Sequence, residues 1–337
     1  MRRTRPHFVA TLLAAAALAL GLSGTATAQD APVRKTIKLL DTLSYTQQPI
    51  NFGIEKGFFE EEGLDVEFVA AQDTVGAVAT NELTFAFGPT STFLRAAALG
   101  APIKIIASAF RNKGAFWLIA KPEIKTIADL KGKTVGIATE GSGMAVYTRV
   151  ILQKSGIDPD KDVTLFANGT QAQAYGTLTE GQVDATIIHQ PFAALGELEG
   201  KAHVLARGWE FLPTYHTGVL IAGDDVIAND PELLERGLRA YFKSYEYAKA
   251  HYDEYIPWLQ ARLKLDPEAV RQAVEQEDDI WEDNPDVDPV AIADTQQIEI
   301  EQGNQDAPYD ASKYIDLRFI PKDYVKAFSY PADKSQG

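Results

Sequence analysis

The chain has 337 residues, of which 32 are Lys or Arg and 47 are Asp or Glu, so its formal net charge at pH 7 is −15. This acidity disfavours nucleic acid and anionic lipid as partners. The absence of cysteine excludes disulfides, thiolate metal sites, catalytic thiols and the lipid-modified cysteine of a lipoprotein.

Residues 1–28 have the pattern of a cleaved secretory signal peptide. Three arginines precede an uncharged apolar run over Phe8–Leu22, and Ala26-Thr27-Ala28 offers the small residues that cleavage requires. The apolar run is too short for a membrane span, and no later stretch approaches the roughly 18 uninterrupted apolar residues that a span needs. The sequence therefore predicts a soluble protein in the periplasm, without a lipid anchor.

Short apolar runs alternate with amphipathic segments from Thr36 onward, which favours βαβ units and a mostly parallel sheet. Strands are expected at Thr36–Leu40, Asp65–Val69, Leu83–Phe87, Ile103–Ser108 and Phe116–Ala120. Helices are expected at Gln48–Lys56, Thr74–Thr80 and Ser91–Ala98.

A second series of the same kind begins after the turn at residues 129–133. Its expected strands are Thr134–Ala138, Val163–Ala167, Ala185–His189 and His203–Ala206, with helices at Met144–Lys154, Gln171–Glu180 and Pro191–Glu199. One more β-rich run, Thr217–Ala222, precedes a long helical C-terminal third.

Two extended segments, near Ala120–Glu123 and Tyr215–Val219, separate these series and predict two lobes joined by two crossings. The expected domains are a first lobe from residues 29–120, a second lobe from residues 121–216, and a return to the first lobe over residues 217–337. Proteins of this plan bind ligands in the cleft between the lobes.

Three segments, residues 56–66 (KGFFEEEGLDV), 130–137 (LKGKTVGI) and 181–185 (GQVDA), resemble the solute-binding proteins of ABC importers for nitrate, sulfonates, taurine and thiamine pyrimidines. The resemblance implies an α/β, type II periplasmic-binding-protein fold with a two-segment hinge. It also implies a small-molecule ligand, delivery to ABC permease subunits, a monomer, and no cofactor. The ligand classes left open are a sulfonate or related oxyanion and a thiamine-pyrimidine-like heteroaromatic.

Polar or aromatic residues that follow the strands of the first lobe are candidates for ligand contact, because open α/β sheets bind ligands at their carboxyl ends. They are Tyr45, Gln47 and Gln48, then Thr90 and Ser91, then Phe110 and Arg111. The alternatives are a solvated loop for the first group, helix capping for the second, and an exposed arginine for the third.

The second lobe and the return crossing offer a matching set of candidates: Ser142, Gly143, Gln171, His189, Tyr215 and His216. Ser142 and Gly143 open a helix, whose N-terminal N–H groups suit an anionic or carbonyl oxygen, although an ordinary serine cap explains them equally well. A lone histidine is more often a structural hydrogen-bonding residue than a ligand contact.

Two other function classes compete with the solute-binding role that the resemblance implies. One is an enzyme on the same fold, related to thiamine-pyrimidine synthases, which use a cysteine-rich iron-binding motif that this chain lacks. His189 and His216 have no paired carboxylate nearby in sequence and make neither a zinc signature nor a catalytic triad. The other is a periplasmic sensor subunit that delivers its ligand to a signalling receptor.

Overall fold

The computed structural model describes residues 33–109, 113–280 and 284–328, apart from the side chain of residue 279. Ten strands are formed within this part of the chain. They are β1 (Lys35–Leu40), β2 (Leu64–Val69), β3 (Ala86–Pro89), β4 (Ile103–Ser108), β5 (Trp117–Ala120), β6 (Thr134–Gly136), β7 (Thr164–Phe166), β8 (Ala185–Ile188), β9 (His203–Arg207) and β10 (Gly218–Gly223).

Thirteen α-helices lie between and after these strands in the described residues. They are α1 (Gln48–Glu55), α2 (Phe58–Glu61), α3 (Thr74–Ala79), α4 (Thr90–Ala98), α5 (Gly143–Lys154), α6 (Gln171–Thr179), α7 (Phe192–Leu198), α8 (Gly208–Phe211), α9 (Asp224–Asn229), α10 (Pro231–Ala250), α11 (Tyr252–Leu263), α12 (Pro267–Glu277) and α13 (Pro289–Glu301).

The strands form three sheets that define two lobes. We call the first lobe the part built on the pair β1-β2 and the three-stranded sheet β3-β10-β4, and the second lobe the part built on the five-stranded sheet β7-β6-β8-β5-β9. The chain passes between the lobes twice, first between β4 and β5, where the described residues 113–116 are what we call the first crossing, and again over residues 208–217, the return crossing.

The expectation of a mostly parallel sheet is wrong, because the two strands that follow the crossings run against their neighbours. β5 pairs antiparallel with β8 and β9, and β10 pairs antiparallel with β3 and β4. The remaining pairs, β1-β2, β6-β7 and β6-β8, are parallel, as expected for βαβ units.

The pairing of β5 also corrects the predicted end of the first lobe. The sequence places Trp117–Ala120 in the first lobe, but the backbone hydrogen bonds of this strand are made within the five-stranded sheet of the second lobe. The first crossing therefore precedes Trp117 instead of lying near Ala120–Glu123. The return crossing ends at Thr217, before β10, inside the predicted segment Tyr215–Val219.

Each lobe has its own apolar core. In the first lobe, helix α10 places Leu234, Leu238 and Tyr241 against β1 and β10, where their burial removes apolar surface from water. In the second lobe, the inner face of α5, including Tyr147 and Ile151, packs against β5, β6 and β8.

Helices α12 and α13 reach from the first lobe to the second. Gln276 of α12 accepts a 2.6 Å hydrogen bond from the Gln190 amide, and Gln302, directly after α13, donates a 3.1 Å bond to Gln153 of α5. The C-terminal third thus adds a connection between the lobes beside the two crossings.

Within the ranges that the structure describes, no helix combines the length and the apolar character needed to cross a membrane.

Candidate functional site

A cavity of about 190 Å³ lies between the two lobes, and we call it the inter-lobe cavity. Both lobes and both crossings contribute to its wall. The lining residues are Ser44, Thr46, Phe87, Pro89, Ala115, Phe116, Gln171, His189 and Thr217. Ser44 and Thr46 follow β1, Phe87 and Pro89 end β3, and His189 follows β8, so this wall is built at the carboxyl ends of strands.

The hydroxyl groups of the first lobe are held in place by local bonds. The Ser44 and Thr46 hydroxyl oxygens lie 3.0 Å apart and share a hydrogen bond. The Ser44 backbone N–H also donates to the Thr42 hydroxyl at 3.0 Å, which fixes the turn after β1. This turn presents two neighbouring hydroxyl groups to the cavity.

The imidazole of His189 is oriented by the first crossing. Its Nδ1 lies 3.1 Å from the Ala115 carbonyl oxygen, and since a carbonyl only accepts hydrogen bonds, Nδ1 must carry the proton. The ring also contacts the Phe116 ring, with 4.7 Å between the centroids. The His189 ring therefore comes from the second lobe and is held against the first crossing at the edge of the cavity.

Gln171 has an unusual backbone conformation at the first position of α6. Its φ angle is 55°, in the left-handed region. A non-glycine residue pays roughly 1–2 kcal/mol for this conformation. Such strain is concentrated at binding and catalytic sites in proteins. Here it occurs at a residue whose side chain lines the inter-lobe cavity.

The described wall of the cavity is mostly apolar and has no permanently charged side chain. It combines three hydroxyl groups, one carboxamide and one imidazole with the rings of Phe87 and Phe116. No set of three or more acidic or histidine side chains in the described ranges could hold a metal ion. The chemistry suits hydrogen bonding to a small molecule that also has an apolar part.

Several residues predicted to contact ligand instead serve the interior of the first lobe. Tyr45 is buried in its apolar core. Gln48 is fully buried, donates to the Ser44 carbonyl at 2.9 Å, and accepts from Arg262 of α11 at 2.6 Å. Gln47 lines a separate cavity inside the first lobe.

His216 ties the return crossing to the first lobe. Its Nδ1 lies 2.8 Å from the Thr90 hydroxyl, its Nε2 lies 3.1 Å from the Ser108 hydroxyl, and its backbone N–H donates to the Thr295 hydroxyl at 2.7 Å. The ring is fully buried, and this burial lowers the pKa of His216 to about 4. His216 and Thr90 thus form a neutral structural cluster.

Tyr215 lies beside that cluster, where its hydroxyl donates to the Glu299 carboxylate of α13 and lies near the Ser91 side chain. Burial, reinforced by the Glu299 charge, raises the pKa of Tyr215 well above its ordinary value. Ser142 caps α5 by accepting from the Ala145 N–H at 3.2 Å, and a Cβ at Gly143 would meet the Tyr215 hydroxyl at an ordinary 3.8 Å. None of these residues lines the inter-lobe cavity.

Phe110 and Arg111 lie outside the described residues. Of the predicted contacts, the structure brings Gln171 and His189 together in the inter-lobe cavity. The residues that sequence reasoning missed are Ser44, Thr46, Phe87, Pro89, Ala115, Phe116 and Thr217. A sequence signal existed for most of them, because they lie within two residues of a predicted strand end or of a predicted contact.

Residues 47–255 match the family described as NMT1/THI5 like. The chain belongs to the NMT1/THI5-like family. Among curated relatives, the putative binding protein YtlA of Bacillus subtilis is 24% identical over 217 residues, which cover 62% of this chain and 65% of YtlA. The formylaminopyrimidine-binding protein of Halalkalibacterium halodurans is 27% identical over 60% of this chain and 62% of its own length. The match thus spans less than two thirds of these relatives.

Solved structures of the same fold cover more of this NMT1/THI5-like chain. The periplasmic aliphatic sulphonate binding protein SsuA of Escherichia coli has a TM-score of 0.69 at 16% identity, over 89% of this chain and 98% of SsuA. The ligand binding component of an ABC-type import system from Staphylococcus aureus also scores 0.69, at 15% identity, over 85% and 98%. The desulfurization enzyme DszB scores 0.62 at 16% identity, over 85% and 97%. The periplasmic-binding-protein fold is therefore shared by receptors and an enzyme.

Proposed function

We propose that this protein is the substrate-binding component of an ABC importer and captures a small polar organic molecule between its lobes. The observation that carries the proposal is the inter-lobe cavity, whose wall combines strand ends of both lobes with both crossings. A ligand that contacts both lobes stabilises their closed arrangement, which a permease can recognise.

The wall chemistry favours an uncharged or singly charged ligand with a planar or apolar body. Its described residues offer no permanent positive charge to balance a multiply charged oxyanion, whereas two phenylalanine rings and five hydrogen-bonding side chains are present. Among the classes that the sequence leaves open, this favours a thiamine-pyrimidine-like heteroaromatic or an organic sulfonate over an inorganic anion. The names of the relatives that bind formylaminopyrimidine and aliphatic sulphonates support the same range.

The remaining parts of the proposal follow from this role. The protein acts as a periplasmic monomer after removal of residues 1–28, docks on ABC permease subunits, and uses neither a cofactor nor nucleic acid. Residues 113–116, before β5, and residues 208–217 serve as its two hinge segments, with the second lobe between them. Small-angle scattering with and without saturating ligand tests the hinge, and identical profiles would contradict it.

A thermal-shift screen tests ligand binding directly, with pyrimidines, organic sulfonates, carboxylates and inorganic anions as the panel. A ligand at about 100 times its dissociation constant adds about 2.7 kcal/mol of stability and raises the midpoint by several degrees. We expect a pyrimidine or a sulfonate to give the largest shift. A flat response over the whole panel would contradict the proposed ligand classes.

The strained Gln171 offers a sharp test of the site. Gln171→Gly removes the side chain from the cavity and relieves the left-handed strain, so we expect unchanged or higher stability together with roughly tenfold weaker binding of the best compound from the screen. A merely structural Gln171 would give unchanged affinity in calorimetry. Gln173→Gly, two residues further along α6 and outside the cavity wall, is the control for backbone effects.

An enzyme on this fold is the second candidate, and the similarity to DszB is the observation that favours it. The described residues hold no metal-binding cluster, and the chain has no cysteine. Recovery of unchanged ligand after prolonged incubation supports the receptor, whereas conversion of the ligand would establish the enzyme. Co-purification of a membrane-bound signalling receptor in place of a permease would establish a sensor subunit.

A further inference from the structure

A second cavity, of about 140 Å³, lies inside the first lobe, and we call it the inner cavity. Ser44 and Phe87 line both the inner cavity and the inter-lobe cavity, so these two residues belong to a wall that both cavities share. Ligand capture between the lobes uses the inter-lobe cavity alone. The shared wall raises the question of what the inner space accepts.

The inner cavity is mostly apolar. Nine of its thirteen lining residues are aliphatic or aromatic, and four of these carry rings: Phe68, Phe85, Phe87 and Tyr241. Its volume is close to that of an apolar protein cavity of about 150 Å³ that binds benzene. Size and lining therefore match a single six-membered ring.

One polar atom in this cavity has no partner among the described residues. The Gln47 side-chain nitrogen, Nε2, is buried from solvent and makes no hydrogen bond. A buried donor without an acceptor is costly, and native structures usually satisfy such a group with a water or a ligand. A ring that carries an acceptor atom would fill the apolar space and accept this hydrogen bond.

We infer that the inner cavity is a second ligand compartment, which takes an aromatic ring bearing a hydrogen-bond acceptor while the polar end of the same molecule remains in the inter-lobe cavity. This assignment rests on the proposed binding function and makes the ligand class narrower. The ligand is a monocyclic aromatic compound with a polar substituent. Ser44 and Phe87 form the passage between its two ends.

Pyridine and benzene form a matched pair of probes, because both are single rings of similar size and only pyridine accepts a hydrogen bond. NMR titration of the wild-type chain is done at pH 8, where pyridine is uncharged, and should show binding of both probes. Pyridine should bind roughly tenfold more tightly, because one additional net hydrogen bond of about 1.4 kcal/mol corresponds to that ratio of dissociation constants. Gln47→Leu should bring the two affinities together.

A cavity-filling variant provides the second readout. Ile50 of α1 lines the inner cavity, so Ile50→Trp should abolish binding of both probes. Ile54, one turn further along the same helix, packs against the same apolar core but lines neither cavity, so Ile54→Trp is the matched control and should bind both probes as the wild type does.

The outcomes separate this inference from the proposed function. The second compartment would be overturned if the wild-type chain binds neither probe, or if the Ile50→Trp variant binds the probes as tightly as the wild type does. This holds even if compounds from the screen still bind between the lobes. Probe binding that Ile50→Trp abolishes would support the second compartment even if the screen is flat and the transport role fails. Equal affinities for pyridine and benzene in the wild-type chain would remove the role of Gln47.

Discussion

The buried imidazole of His216 predicts that acid destabilises this protein at a pH where most carboxylates remain charged. Histidine in an unfolded chain has a pKa near 6.5, whereas burial lowers the pKa of His216 to about 4 in the folded chain. Between these values the unfolded state binds a proton that the folded state does not bind. The free energy of unfolding therefore falls as the pH falls through this window.

The magnitude follows from the difference of about 2.5 pKa units. At roughly 1.36 kcal/mol per unit, the linkage amounts to about 3 kcal/mol when complete, and about 2 kcal/mol of it is lost between pH 7 and pH 5. That is a large part of the ~5–15 kcal/mol by which a typical domain is stable. The Thr90 and Ser108 hydroxyls each lie within hydrogen-bond distance of one ring nitrogen, so the cost of protonation comes from burying the charge.

Urea unfolding at pH 8, 7, 6 and 5 measures this effect when the wild type is compared with His216→Gln. The variant should be less stable at pH 8, and its deficit should shrink by about 2 kcal/mol at pH 5, because only the wild type carries the histidine linkage. Thr90→Val is the control, since it removes one hydrogen bond of the ring but keeps the titrating group. It should lower stability by about 1 kcal/mol at every pH.

A deficit of the His216→Gln variant that stays constant within about 0.5 kcal/mol from pH 8 to pH 5 would refute the reasoning. It would mean that the folded protein accommodates the charged ring, by admitting water to the cluster of Thr90, Ser108 and Thr295.

Two glycines and one serine give further predictions, each measured by urea unfolding. Gly208→Ala should cost about 1–3 kcal/mol of stability, because the added Cβ would lie 2.7 Å from the Tyr147 ring. Gly176→Ala should instead stabilise helix α6 by about 0.5–1 kcal/mol, because its Cβ meets nothing within 4 Å. Equal effects of the two substitutions would contradict the packing described for Gly208. Ser142→Ala should cost about 1 kcal/mol as a lost N-cap and leave ligand affinity unchanged. A weakened affinity would return the ligand to the helix entrance that the sequence suggested.

Hydrophobic periodicity predicted the elements well, because local pattern decides whether a segment forms a strand or a helix. Helix α4 was expected at Ser91–Ala98 and occupies Thr90–Ala98, while β3 was expected at Leu83–Phe87 and occupies Ala86–Pro89. Strand direction was less accessible. The antiparallel pairing of β5 and β10 depends on partners far away in sequence, and no local pattern encodes it.

The candidate site was predicted to the level of the strand end but not to the level of the residue. After β1, Ser44 and Thr46 line the inter-lobe cavity while Tyr45 between them is buried in the core. Which member of an alternating set points to the cleft depends on the turn geometry. In the same way, both His189 and His216 lie near the crossings, and only the tertiary packing separates the cavity residue from the buried one.

Helix α13 is hydrogen-bonded to three consecutive residues near the end of the return crossing. Asp294, Thr295 and Glu299 accept hydrogen bonds from three consecutive residues of the crossing, the Thr214 hydroxyl, the His216 backbone N–H and the Tyr215 hydroxyl. α13 therefore restrains residues 214–216 of the return crossing. These residues cannot change their backbone conformation without sliding along the helix or breaking these hydrogen bonds. Because apparent affinity scales with the fraction of molecules already in the binding-competent arrangement, substitutions on α13 should tune ligand affinity from residues that the ligand never touches.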